Sequence, residues 1–315
     1  MSALHPPTIQ EIQAARRRLT GTILRTPLIH LELEDVPAEI FLKLENLQPT
    51  GSFKVRGAGN ALLSAEPAQL QEGVWTASAG NMGQALAWYA RRMSIACTVV
   101  VPEDAPEVKV EAIRRQAACI IKVPFAEYLT IQREGGWAGM KGRLIHPFAD
   151  EAVMAGNGTL GLEILEDLPE VNTVLVSYGG GGLSCGIAAA IKATRPEVRV
   201  EAVEVATAAP LTASLAAGQP VEVPYQSSFV SGMGAPSVHP QMWPLASYLL
   251  DAARAVPLAE VAAAIRLLAD RQHVIAEGAG AVALAGDVRK KVVCVVSGGN
   301  INPGHLTKII QGELP

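Results

Sequence analysis

Short apolar runs rich in β-branched residues alternate with helical patterns along nearly the whole chain of 315 residues, and this alternation narrows the possible folds more than any other feature. Strands are expected at Ile40–Leu44, Val74–Ala77, Ile95–Val101, Ile120–Val123, Val174–Ser177, Val198–Glu204 and Val292–Ser297. Between them lie helical stretches such as Met82–Arg92 and Pro106–Ala118, with a further helix opening near Ser52. Thr8 followed by Glu11 is a capping-box pattern, and it opens a helix that should end near Gly21. Continuous apolar strands between helices are what a parallel sheet buried on both faces requires. The class is α/β, doubly wound.

Composition excludes several functions. Lys and Arg total 26 against 30 Asp and Glu, a net charge of −4, so the basic surplus of a phosphate-neutralising nucleic-acid binder is absent. The N-terminus lacks the apolar core of a secretory leader. Val171–Ile191 is long enough to cross a bilayer but carries five glycines and several polar residues, so no membrane span is expected. Cys97, Cys119, Cys185 and Cys294 show no metal-ligand or disulfide spacing and read as free buried thiols in a cytoplasmic protein.

Glycine is the informative residue. Val174-Leu-Val-Ser-Tyr is followed by Gly179, Gly180, Gly181 and Gly182, then by a helical pattern. Four uncovered amides at a helix N-terminus suit a phosphate. No dinucleotide register fits, since Ser184 and Cys185 interrupt it, and no Gly-Lys-Ser follows as in a P-loop. Gly182-Leu-Ser184-Cys-Gly186 also satisfies the G-x-S-x-G elbow of serine hydrolases, with Asp251 or Asp270 and then His273 or His305 in hydrolase order. That elbow needs its serine directly after the strand, and here the glycines intervene. The hydrolase is kept as a minority alternative.

A second constellation runs Lys43-Leu-Glu-Asn-Leu-Gln-Pro-Thr-Gly51-Ser52-Phe53-Lys54-Val-Arg56-Gly57. Lys54 falls in the first turn of a helix, where the dipole opposes its charge and favours the neutral, nucleophilic amine. This segment resembles the lysine motif of the fold-type-II pyridoxal-phosphate enzymes, the threonine/serine dehydratase and serine racemase family. Ser78-Ala-Gly-Asn81-Met-Gly-Gln-Ala resembles the asparagine loop of that family, and the tetraglycine resembles its phosphate cup. Ala155-Gly-Asn-Gly-Thr159, Glu277-Gly-Ala-Gly280 and Ser297-Gly-Gly-Asn300 follow in the same order.

The resemblance implies a tryptophan synthase β-like fold of two doubly wound open-sheet domains with pyridoxal 5′-phosphate between them. Residues 1–65 and 149–315 would form the large cofactor-binding domain, and 66–148 the small substrate-loop domain. Lys54 would carry the cofactor as a Schiff base and act as the base at Cα. Phe53 would pack beside the ring and Asn81 would bond its 3′-oxygen. The amides of Gly179, Gly180, Gly181 and Gly182 would hold the phosphate, and Ser297 would meet the pyridine nitrogen. Ser78, Ala79, Gly80 and Asn81 would receive the substrate carboxylate, with Glu277 near the reacting centre. The implied reaction is elimination and deamination of a β-hydroxy amino acid, L-threonine or L-serine, to a 2-oxo acid and ammonia. The alternatives are a serine racemase-like activity or a 3-hydroxyaspartate or phenylserine dehydratase. A homodimer is expected.

Three departures from the family pattern matter. Ala79 stands where racemases carry a serine, and a methyl group holds no proton. Met82 replaces the usual histidine. Related enzymes often hold a divalent cation with a glutamate, a carbonyl and an aspartate, whereas Glu204-Val-Ala-Thr-Ala208-Ala-Pro210 has proline at the aspartate's place. No metal is expected, nor a C-terminal regulatory domain, since the sequence stops at Pro315.

Overall fold

The computed structural model describes residues 3–34, 36, 38–286 and 290–315. The first helix, Ile9–Leu19, starts where its capping box dictates: the Glu11 amide donates to Thr8 Oγ1 and the Thr8 amide to Glu11 Oε2. Among the described residues the strands are β1 (Leu28–Leu31), β2 (Ala38–Leu44), β3 (Val74–Ala77), β4 (Cys97–Pro102), β5 (Cys119–Val123), β6 (Arg143–Leu144), β7 (Thr173–Ser177), β8 (Arg199–Val205), β9 (Ala252–Val256) and β10 (Lys290–Val296).

They form two sheets, one of six strands in the order β1-β2-β10-β7-β8-β9 and one of four in the order β5-β4-β3-β6. Every pairing is parallel except that of β1 with β2. The chain starts the larger sheet, leaves after β2 to build the smaller one, and returns at β7. Both faces of the larger sheet are buried. Val293 and Val295 join a cluster with Ile12, Met154 and Ile187, while Val292, Cys294 and Val296 join one with Val203, Ile265 and Leu268.

The parallel register sets the site. Val296 pairs with Leu44, and Cys294 with Leu175, so the carboxyl ends of β2, β10 and β7 lie side by side. The lysine segment, the Ser297 turn and the tetraglycine loop all leave from this edge. Ligands of open α/β sheets bind at such an edge.

Several boundaries differ from expectation. The strand expected at Ile95–Val101 is Cys97–Pro102, because Ser94 turns with φ +56° before it. The helix expected to reach Ala118 stops at Arg114, ahead of Ala117 at φ +62°. The lysine helix begins at Lys54 rather than Ser52, since Ser52 is held in a β-bridge to Gly298. β1, β6 and β9 carry no long apolar run and escape the sequence pattern. The four cysteines are free, but Cys119 is exposed, not buried. Among the described residues no helix is long and apolar enough to cross a membrane.

Candidate active site

Lys54 opens the helix Lys54–Leu63, with Phe53 at its cap. The approach to it is stitched to the end of β10: the Phe53 amide donates to the Ser297 carbonyl at 3.0 Å and the Gly299 amide to the Gly51 carbonyl at 2.9 Å. Gly51 takes φ +72° in this turn, a conformation that suits glycine. Lys54 Nζ donates to the Pro147 carbonyl at 2.6 Å and lies 5.0 Å from the centre of the Phe53 ring. Burial away from water pushes its amine down to about 8. The group is therefore poised between ammonium and nucleophile near neutral pH.

Below Lys54 the same helix carries Arg56, which is fully buried between two carboxylates. Its Nε and Nη2 donate to Glu45 at 2.7 and 2.8 Å, and its Nη1 and Nη2 donate to Glu163 at 2.6 and 3.0 Å. Lys43 completes the group at 2.9 Å from Glu163. Four bonds in two forks leave the guanidinium no freedom to turn, so the helix that bears Lys54 is locked to the turn Glu45–Leu47 that follows β2 and to the helix Glu151–Asp167.

The tetraglycine loop joins β7 to the helix Gly182–Thr194. Gly181 takes φ +91°, and among the described residues no protein acceptor meets the amides of Gly179, Gly180, Gly181 or Gly182. A side chain would not fit there: a Cβ on Gly182 would stand 2.8 Å from the backbone of Phe148, and one on Gly180 would enter the Phe148 ring. Asn157 steadies the loop by donating to the Gly182 carbonyl at 3.1 Å. The loop is thus a concave row of free N–H groups at a positive helix end.

Asn81 opens the helix Asn81–Arg92 at the end of β3. Its Nδ2 donates to Glu277 Oε1 at 2.5 Å, and its Oδ1 accepts from Asn300 Nδ2 at 2.8 Å. Glu277, 6% exposed, is raised to about 7, chiefly by burial, against which the Asn81 bond pulls downward. Lys109, half-buried on the helix Glu107–Arg114, faces it electrostatically. In the Ser78–Gly80 turn before Asn81 the Ala79 backbone faces the Tyr128 hydroxyl and the Gly80 amide reaches Ser78 Oγ at 3.3 Å, while among the described residues the Asn81 amide meets no protein acceptor. Ser297 Oγ donates to the Ala279 carbonyl at 3.0 Å and accepts from Ser177 Oγ at 3.3 Å.

Hydrogen bonds join the lysine segment to the Ser297 turn and Asn81 to Glu277. The Pro147–Phe148 segment connects Lys54 with the glycine cradle. Sequence reasoning assigned no role to Phe148, Ser177, Lys109 or the Asn300 side chain. Only Asn300 had a signal, as the last residue of the Ser297 motif. His146 accepts at Nδ1 from the Ala149 amide at 2.9 Å, and its Nε2 meets the Gln132 carbonyl at 2.9 Å. Burial lowers it to about 4, which makes it a neutral structural residue of this junction. Ser184, the hydrolase candidate, is fully buried and donates to the Gly181 carbonyl, and among the described residues no histidine bonds it. The elbow is therefore a helix turn, one step removed from the strand.

A parallel α/β sheet with a buried lysine, a cradle of free amides and a neutral serine at its carboxyl edge defines the fold-type-II class of pyridoxal-phosphate enzymes. The family described as "Pyridoxal-phosphate dependent enzyme" matches residues 19–298, and the chain belongs to it. The L-threonine ammonia-lyase of Geobacter sulfurreducens is 39% identical, over 96% of this chain and 78% of that one. The L-threonine ammonia-lyase of Thermotoga maritima is 38% identical, over 98% and 79%. Among solved structures, serine racemase from Dictyostelium discoideum superposes with a TM-score of 0.85 at 32% identity, covering 95% of this chain and 100% of that one. The processed form of threonine deaminase isoform 2 from Solanum lycopersicum does so with 0.86 at 27%, covering 98% and 90%. Pyridoxal 5′-phosphate is the cofactor of the family, and the residues present fit it: the cradle takes a phosphate, and Lys54 offers an amine that is readily neutral.

Proposed function

We propose that this enzyme is an ammonia-lyase that eliminates water from a β-hydroxy amino acid, L-threonine or L-serine, to an enamine, which takes up a water again to give a 2-oxo acid and ammonia. The observation that carries the reading is Lys54, a desolvated amine near 8 bonded to the Pro147 carbonyl, next to the Phe148 ring that lies against Gly180. When bound, pyridoxal phosphate supplies an electron sink that makes the Cα hydrogen acidic. The protein's share is placement and proton transfer. The amides of Gly179, Gly180, Gly181 and Gly182 would hold the phosphate, and Phe53 would flank the ring. Asn81 has one amide hydrogen on Glu277 and keeps the other for the ring's 3′-oxygen. Ser297 would offer the pyridine nitrogen a neutral hydroxyl instead of a carboxylate, which would suit elimination of the β-hydroxyl. The Ser78–Asn81 turn, with the Asn81 amide free, would take the substrate carboxylate, and Lys54 would move the proton at Cα.

Ala79 favours the lyase over a racemase, since its methyl group offers no second acid or base. We also read residues 1–65 and 149–315 as the cofactor domain and 66–148 as the substrate-loop domain, a division supported by the separate sheets. Action as a cytoplasmic homodimer completes the proposal, and the unpaired cysteines suit a reducing compartment. The test is direct. Purified protein should be yellow, lose its visible band to borohydride, and release 2-oxo acid from L-threonine or L-serine. A colourless protein that cannot be reconstituted overturns the proposal. Release from 3-hydroxyaspartate or phenylserine alone would move the substrate and keep the chemistry.

A further inference from the structure

The corner after β8 is where related enzymes often hold a divalent cation, and the residues present do not fit one. Glu204, 1% exposed, already has both oxygens bonded. Its Oε1 accepts from the Leu211 amide at 3.0 Å, and its Oε2 accepts from the Thr212 amide and the Thr212 hydroxyl, both at 2.7 Å. The three donated hydrogens lie where a hard cation would need bare oxygen lone pairs. Such a cation also wants six or more oxygens and several negative ligands. Pro210 brings no carboxylate, and among the described residues no group of three His, Cys, Asp or Glu side chains stands close enough to hold a metal.

The donors belong to the first turn of the helix Pro210–Ala217. Amides there have no partner within their own helix, and the helix end is positive. Pro210 at the helix start suits this arrangement, because its position needs no N–H. Around the corner, the Ala208 amide donates to Val205 at 3.0 Å and the Ala206 amide to Val256 at 2.8 Å. β8 in turn holds β7 just before the glycine cradle, through the Tyr178 amide donating to the Val203 carbonyl at 2.9 Å.

We propose that the N-terminus of this helix, together with the Thr212 hydroxyl, takes the place of the divalent cation of the related enzymes. Glu204 is satisfied from within the chain, and the holoenzyme keeps its fold and its cofactor without a metal. Thr212 is a positioning residue: it acts through Glu204 on the strand beside the cradle and touches neither substrate nor cofactor.

The experiment follows the thermal melting and the visible cofactor band of the holoenzyme, with no substrate present, so its outcome is independent of the reaction proposed above. After exhaustive treatment with EDTA, millimolar Mg²⁺ or Ca²⁺ should move the melting midpoint by less than about 1 °C, since a ligand with no site on the native state does not shift its stability. Thr212→Val should lower the midpoint by roughly 2–4 °C, and Thr212→Ser should restore it. The double variant Pro210→Asp, Thr212→Ala should acquire a Ca²⁺-dependent rise in midpoint. A native enzyme that loses several degrees in EDTA and regains them with either cation overturns the proposal. So does Thr212→Val melting like the native protein, or a double variant indifferent to Ca²⁺.

Discussion

Asn300 donates through Nδ2 to Oδ1 of Asn81 at 2.8 Å, and this bond fixes which way the Asn81 amide faces. With Oδ1 engaged, Nδ2 is turned toward Glu277. Asn300 is held for this task by a second bond, to the Thr50 carbonyl at 2.9 Å. Asn300→Ala should therefore weaken cofactor affinity by about fivefold, the equivalent of one net hydrogen bond of ~1 kcal/mol. Titration of cofactor-free protein, read by the visible band, checks this.

Lys54→Ala should reduce 2-oxo acid release by on the order of 10³-fold or more while leaving the fold in place, because among the described residues Lys54 makes no ion pair and its burial opposes its charge. Steady-state assay beside far-ultraviolet circular dichroism separates the two effects. In the native protein the rate of cofactor capture should climb as pH rises through about 8, where the amine becomes neutral.

Glu277 binds its proton more tightly in the folded state, at about 7 against an ordinary 4.5. A raised carboxyl costs stability as pH rises from 4.5 through 7, and the cost is absent below that window. Glu277→Gln should remove this dependence. The variant should gain on the native protein by up to about 3 kcal/mol over the window, measured by urea unfolding of the cofactor-free protein at pH 4.5 and 7.5. Equal differences at both pH values would contradict the assignment.

Arg56→Met should lower stability by about 3–5 kcal/mol, because Glu45 and Glu163 would be left as buried charges without their shared partner. The shift in denaturant midpoint measures it.

Ala79→Ser would restore a hydroxyl in the substrate turn. Conversion of L-serine to D-serine, followed by chiral chromatography, should become detectable in the variant and stay undetectable in the native enzyme.

Much of the fold was legible because strands such as Val174–Ser177 and Val292–Val296 are buried on both faces and must be continuously apolar. β9, Ala252–Val256, was not legible, since an edge strand of alanines with a central arginine has little strand character of its own. The glycine loop and Lys54 declared themselves by local chemistry. Phe148 and Ser177 did not. Each matters only through a neighbour remote in sequence, the ring under Gly180 and the hydroxyl beside Ser297, and no local pattern records such contacts. Glu204 is a mixed case: Pro210 showed that a ligand was lost, but the Thr212 cap emerged only from the fold.

β10 sits between β2 and β7, so the strand made last lies at the middle of the larger sheet. A ribosome that has already delivered Lys54, Asn81 and all four cradle glycines has still not made a place for the ring. The segment before Lys54 gains its anchor, the Ser297 carbonyl, only once β10 has emerged. Cofactor capture thus waits on β10, and chains cut short before it should be left without the colour of the holoenzyme.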